Sequence, residues 1–231
     1  MTATHDGKVT ALISMKGKSD RVPGKNFRPL AGKPCFYWIV SALEAAERVR
    51  RVSIETDSDE IEAIAGELFP HITVLRRPEA LLDPFINMNP LIEHHMAHSD
   101  DEIFLQTHAT NPLLTAPTID KAVEAYFEPG DHDSLFSATA LQTRLYWPDG
   151  KPVNHNPEEM LPTQHLPPIL EENSCLYIFS RQSYATLNHR VGAKPKIFTT
   201  AALESVDIDE EHDFAYCEFL MTRRLADQAH G

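Results

Sequence analysis

Apolar positions along the chain follow two alternating rhythms. Short β-rich runs occur at 8–14 (KVTALIS), 50–57 (RRVSIETD), 71–77 (HITVLRR), 101–110 (DEIFLQTHAT), 133–142 (DSLFSATALQ), 173–180 (NSCLYIFS) and 194–202 (KPKIFTTAA). Between them lie stretches with helical spacing at 35–49, 58–69, 89–98, 115–128 and 210–226. Pro34 suits the start of the first helix, and Ser58 followed by Asp59 and Glu60 suits the start of the second. Strands spaced by helices of about 10–15 residues predict βαβ units, an α/β fold with a mostly parallel sheet.

The rhythm breaks over 143–172, which is rich in proline, polar residues and turn signals such as Pro148-Asp149-Gly150. Ordinary connections are shorter, so this segment is expected to be an excursion with a role: lid, hairpin or interface arm. The reading is one domain over 1–231 with an arm at 143–172.

Composition narrows the partners. The 231 residues carry 21 basic and 34 acidic side chains, a formal charge of −13. That balance argues against nucleic acid or an anionic membrane as the main partner. No apolar run approaches the roughly 20 residues of a membrane helix. The first 14 residues show no secretory pattern. Cys35, Cys175 and Cys217 lack metal spacing and read as free buried thiols, consistent with a cytoplasmic protein.

Against this acidic background, residues 14–26 (SMKGKSDRVPGKN) gather Lys16, Lys18, Arg21 and Lys25 around the single acid Asp20. The loop follows the first strand, where α/β sheets bind phosphates with backbone N–H groups, a helix dipole and added cations. Gly17 and Gly24 would permit close backbone approach. The spacing is neither a P-loop nor GxGxxG: six residues separate the two glycines, and Asn26 follows Lys25. A solvated basic turn is the alternative.

The stretch from Ser14 to Asn26, with Arg28-Pro29-Leu30-Ala31-Gly32-Lys33-Pro34 after it, resembles the opening motif of the acylneuraminate cytidylyltransferases and the related CMP-Kdo synthetases. Further motifs follow in order. Glu55-Thr56-Asp57 stands for Ser-Thr-Asp, and Arg77-Pro78-Glu79 with Asp83 for the Arg-Pro segment. His108-Ala109-Thr110-Asn111-Pro112 stands for Gln-Pro-Thr-Ser-Pro, and Asn173-Ser174-Cys175-Leu176-Tyr177 for Asn-Gly-Ala-Ile-Tyr. Asp207-Ile208-Asp209 is intact.

The resemblance implies a Rossmann-like three-layer nucleotidyltransferase fold and a homodimer whose protruding arm caps the partner's site. It implies transfer of CMP from CTP to the anomeric hydroxyl of a sialic-acid-like 2-keto-3-deoxy sugar acid, releasing pyrophosphate. Lys16, Gly17, Ser19, Arg21, Asn26 and Asp57 would hold the nucleotide, with Arg77 and Asn87 at the base. Lys25, Arg21 and Asp209 would carry the chemistry; His108, Thr110, Gln164, Asn173 and Arg144 would meet the sugar. Alternate residues on an extended segment point the same way, so Asp207 and Asp209 can share Mg²⁺. An N-capping role is the alternative for Asp209.

Departures from the family pattern bear on the substrate. His108 replaces a Gln and, unlike Gln, can titrate near neutrality. Leu114 and Thr163 stand where Arg is common, the latter in the arm beside Gln164; Arg144 is a possible substitute cation. Ser174 replaces a glycine beside the substrate. Two other readings stay open: a nucleotidyltransferase for another sugar or nucleotide, and an inactive nucleotide-binding homologue. His94 and His98, at i and i+4, read as a polar helix face rather than a zinc site. Trp147 beside Tyr146 reads as an interface anchor or a stacking surface for the sugar.

Overall fold

The computed structural model of the chain describes residues 6–83, 85–159 and 161–230. The elements run β1 (Val9–Met15), β2 (Pro29–Leu30), β3 (Lys33–Pro34), α1 (Cys35–Ala45), β4 (Val49–Thr56), α2 (Asp59–Leu68), β5 (Thr73–Arg76), α3 (Met88–Ala97), β6 (Ile103–Thr107), α4 (Ala116–Phe127), β7 (Ser134–Leu141), β8 (Ile169–Ser180), α5 (Arg181–Leu187), β9 (Pro195–Thr199) and α6 (Glu211–His230). The first five residues, part of the stretch read for a secretory pattern, lie outside the described residues.

Seven strands form one sheet in the order β5-β4-β1-β6-β8-β7-β9; β2 and β3 make a small separate hairpin. The β1–β4, β1–β6, β4–β5 and β7–β9 pairings are parallel, whereas β8 runs antiparallel to both β6 and β7. Residues of β1 divide between two cores, as period-2 alternation requires. Ala11, Ile13 and Met15 pack with α1, α2 and α4; Leu12 packs with Ile92 and Met96 of α3 and Tyr184 of α5. The result is the three-layer α/β architecture expected.

Local chemistry sets the helix ends. The Ser58 hydroxyl accepts from the Ile61 N–H, and Asp59, Glu60 and Glu62 sit in the first turn of α2. Ser180 and Ser183 form a reciprocal capping box on α5, a helix the periodicity does not predict. β8 starts at Ile169, four residues before the expected strand, and so absorbs the end of the 143–172 excursion. The rest of that segment is irregular, with exposed Tyr146, Trp147 and Leu161. The three cysteines are free and buried, and burial pushes their thiols up to about 12. Among the described residues, no helix is long and apolar enough to cross a membrane.

Candidate active site

The chain switches direction across the sheet at β1, with β4 on one side and β6 on the other. Ligands of open α/β sheets bind at such switch points, beyond the C-terminal strand ends. There a cavity of about 370 Å³ is lined by Lys16, Lys18, Ser19, Arg21, Lys25, Asn26 and Arg77, with His108 and Thr110 opposite. A neighbouring cavity of about 590 Å³ shares Lys16, Lys18 and Asp20 and adds Gly17, Asp57 and Ser58. The basic loop therefore folds over the end of β1 rather than projecting as a solvated turn.

Glycines shape that loop at two points. A Cβ on Gly17 would lie 2.8 Å from the Ser58 Cβ, so the close approach to the start of α2 requires glycine. Gly24 adopts φ +65°, the left-handed region that glycine favours. The loop is then tied down. The Gly17 N–H donates to Asp57 Oδ1 at 2.6 Å, and Asn26 Nδ2 donates to the Lys16 carbonyl at 2.8 Å.

Arg77 is not a surface arginine. Its side chain is buried and donates to both Glu55 oxygens, Nε at 2.5 Å and Nη2 at 2.9 Å. Nη2 also donates to the Met15 carbonyl at 3.2 Å, and Nη1 lies 3.7 Å from Asp57 Oδ2. Arg77 thus braces the end of β1 and, through Asp57, the basic loop. Beneath this floor, buried His95 hydrogen-bonds Ser14 and Ser53 and is held neutral, its pKa pushed down to about 3 chiefly by burial.

Asp207-Ile208-Asp209 lies directly against the basic loop. The Ile208 N–H donates to the Thr110 carbonyl at 3.0 Å, and Lys25 Nζ donates to the Ile208 carbonyl at 2.8 Å. Arg21 pairs with Asp209 at 2.5 Å. Asp209 does not cap α6: the Asp213 carboxylate accepts the Asp209 and Glu210 N–H groups instead. Asp207 Oδ1 is buried without a hydrogen-bond partner among the described residues. Burial raises the Asp207 pKa; Asp209 reinforces the shift, while Thr110 and Lys25 oppose it.

The sugar-side predictions separate. His108 and Thr110 line the cleft. His108 does not titrate near neutrality: burial first, then the Arg190 and Lys25 charges, push it down to about 4. Asn173 is consumed structurally. Its Nδ2 donates to Thr139, Thr200 and Ser205, and its Oδ1 accepts from Ser137. Ser174 takes φ +58°, so the glycine replacement leaves a left-handed serine in β8. Asn87 caps α3, its Oδ1 accepting from the Asn89 N–H, beside the lining residues Ile86 and Met88. Gln164 and Arg144 sit in the arm, outside the residues lining this cleft; Arg144 donates to the Leu161 carbonyl. His98 hydrogen-bonds the His94 carbonyl at 2.8 Å, and no cluster of three or more metal-type side chains occurs among the described residues.

Sequence reasoning missed Arg190 and Gln106. Arg190, on the loop before β9, donates to Gln106 Oε1 and lies 3.6 Å from the Tyr177 ring centroid. Gln106 in turn meets His108 Nε2 at 3.1 Å.

A parallel switch-point cleft under a cationic glycine loop places the chain among the α/β proteins that bind nucleotides. The cytidylyltransferase family profile matches residues 10–228, and the chain belongs to that family. It is 27% identical over 218 residues to N-acylneuraminate cytidylyltransferase A of Danio rerio, across 91% of this chain and 50% of that protein. It therefore spans about half the length of that relative. It is 26% identical over 229 residues to CMP-N,N'-diacetyllegionaminic acid synthase of Legionella pneumophila, across 93% and 96% of the two chains. In fold it matches a CMP:2-keto-3-deoxy-manno-octonic acid synthetase complexed with CTP, with TM-score 0.67 and 11% identity over 94% of this chain and 99% of the other.

Proposed function

We propose that the chain transfers CMP from CTP to the anomeric hydroxyl of a sialic-acid-like 2-keto-3-deoxy sugar acid and releases pyrophosphate. The observation that carries this reading is the contact of Lys25 and Arg21, which line the cleft, with the Ile208-Asp209 segment. In the reaction the sugar oxygen bonds to the α-phosphorus as the bond to the bridging oxygen of pyrophosphate breaks, and the hydroxyl proton leaves. Lys25, Lys16 and Arg21 neutralise the charge gathering on the triphosphate.

Asp207 and Asp209 offer hard oxygen donors, and the unpartnered buried Oδ1 of Asp207 fits a cation such as Mg²⁺. Mg²⁺ held there would screen the phosphates and acidify the attacking hydroxyl. In the free protein Asp209 is engaged by Arg21, both side chains about half exposed. Exposed pairs contribute about 0–1 kcal/mol, so a triphosphate that takes Arg21 releases Asp209 at little cost. Exposed Tyr146 and Trp147 support the arm as the contact with a second copy of the chain. The three buried free thiols fit a reducing compartment such as the cytoplasm.

Nucleotide selectivity tests the reading. CTP at about 100 Kd should stabilise the protein by about 2.7 kcal/mol, a rise of about 5–11 °C in Tm for a chain of this size. ATP, GTP and UTP should shift it far less. Equal shifts with all four would refute a cytidine site.

A further inference from the structure

His108, which lines the cleft, is backed through Gln106 by a polar cluster that the phosphate chemistry does not use. Arg190 lies over the Tyr177 ring, 3.6 Å from its centroid, and donates to Gln106 Oε1. The Tyr177 hydroxyl donates to Glu172 and lies 3.2 Å from the Ser174 hydroxyl. Arg190 forms no ion pair within 4.0 Å among the described residues. Burial leads in lowering its pKa, opposed by Tyr177 and the Glu172 charge, and no carboxylate contacts the guanidinium. Such a charge is costly unless a partner arrives.

Its placement is built rather than incidental. Gln106 Oε1 accepts a hydrogen bond from Arg190, so Gln106 Nε2 faces the Thr107 carbonyl at 3.0 Å and His108 Nε2 at 3.1 Å. His108 Nε2 then accepts, and the ring proton sits on Nδ1. Arg190 thereby orients both side chains at this end of the cleft. In the arm, Thr163 stands where the family pattern has Arg, and Arg144 is turned to the Leu161 carbonyl.

We propose that Arg190 is the residue that reads the acceptor, its guanidinium pairing with the carboxylate of the incoming sugar acid beside neutral His108. The assignment rests on the cytidylyltransferase reading and supplies the cation that reading lacks. A planar fork suits a carboxylate and gives a charge-assisted pair that a neutral analogue cannot form.

The test compares wild type with Arg190→Gln and Arg190→Lys, using 2-keto-3-deoxy sugar acids and their carboxamides. Pyrophosphate release and calorimetric binding of the acceptor are both read. Arg190→Gln should raise the acceptor KM and Kd about 10–100-fold and leave the CTP KM and CTP-induced stabilisation within twofold. Arg190→Lys should fall between, keeping the charge without the fork. The carboxamide should bind wild type and Arg190→Gln equally. An unchanged acceptor Kd in Arg190→Gln, or full discrimination against the carboxamide in that variant, overturns the assignment. A wild type that binds the acid through Arg190 but releases no pyrophosphate overturns the reaction alone; one that binds no sugar acid overturns both.

Discussion

Replacing Glu55 by Gln would leave the shape of the cleft floor nearly unchanged and strand one charge. Glu55 and Arg77 have side chains 0% and 1% exposed, joined by two hydrogen bonds of 2.5 and 2.9 Å. Breaking a buried pair by removing one partner costs about 3–5 kcal/mol, because the other charge stays buried and uncompensated. At roughly 2–4 °C per kcal/mol, Tm should fall by about 6–20 °C. Urea unfolding of Glu55→Gln measures the loss directly. The double variant Glu55→Met/Arg77→Leu should recover most of it, since apolar replacement of a whole buried pair is often neutral. The double variant should still bind CTP weakly, because Asp57 and the Gly17 N–H lose their brace. A loss below about 1 kcal/mol in Glu55→Gln, or CTP affinity intact in the double variant, would refute the reasoning.

Other predictions follow from the same site. The Asp207 pKa is raised above its usual 3.8, so the folded state is penalised as pH rises through and above that value. Asp207→Asn should therefore raise Tm at pH 7, with the gain fading below about pH 3.8, while abolishing turnover; a lower Tm at pH 7 would contradict the assignment. His108 is neutral across the physiological range, so His108→Gln should leave the shape of the pH–rate profile between pH 6 and 8 unchanged. Lys25→Ala should lower kcat about 10²–10³-fold, the usual effect of removing one group aimed at developing charge. Asp209→Asn should lose turnover and retain a folded structure by circular dichroism.

The layered fold is legible because each element announces itself locally. Val9–Met15 is mostly apolar and buried on both faces, and α2 carries its own cap and acids. The antiparallel direction of β8 is not legible. Pairing direction leaves no periodic mark, and the strand begins inside a segment punctuated by proline. The seven-residue α5 lacks enough turns for an apolar stripe, although its Ser180–Ser183 capping box was a usable signal. Within the site, the cationic loop is legible because its charges are contiguous. Arg190 is not, because its partner Gln106 lies 84 residues away inside a strand. The hydrogen bonds of Asn173 are not legible either: its amide joins β8 to β7 and to the segment after β9, all distant in sequence.

The central claim is that Lys25 and Arg21 of the basic loop, with Asp207 and Asp209 beside them, transfer CMP to a sugar acid. Incubation of the protein with CTP, Mg²⁺ and a panel of 2-keto-3-deoxy sugar acids, followed by mass analysis of the products, tests it most directly. The account predicts a CMP-sugar and pyrophosphate in equal amounts with at least one acid, and neither product with Asp209→Asn. No CMP-sugar with any acid, or the same yield from Asp209→Asn, would contradict it.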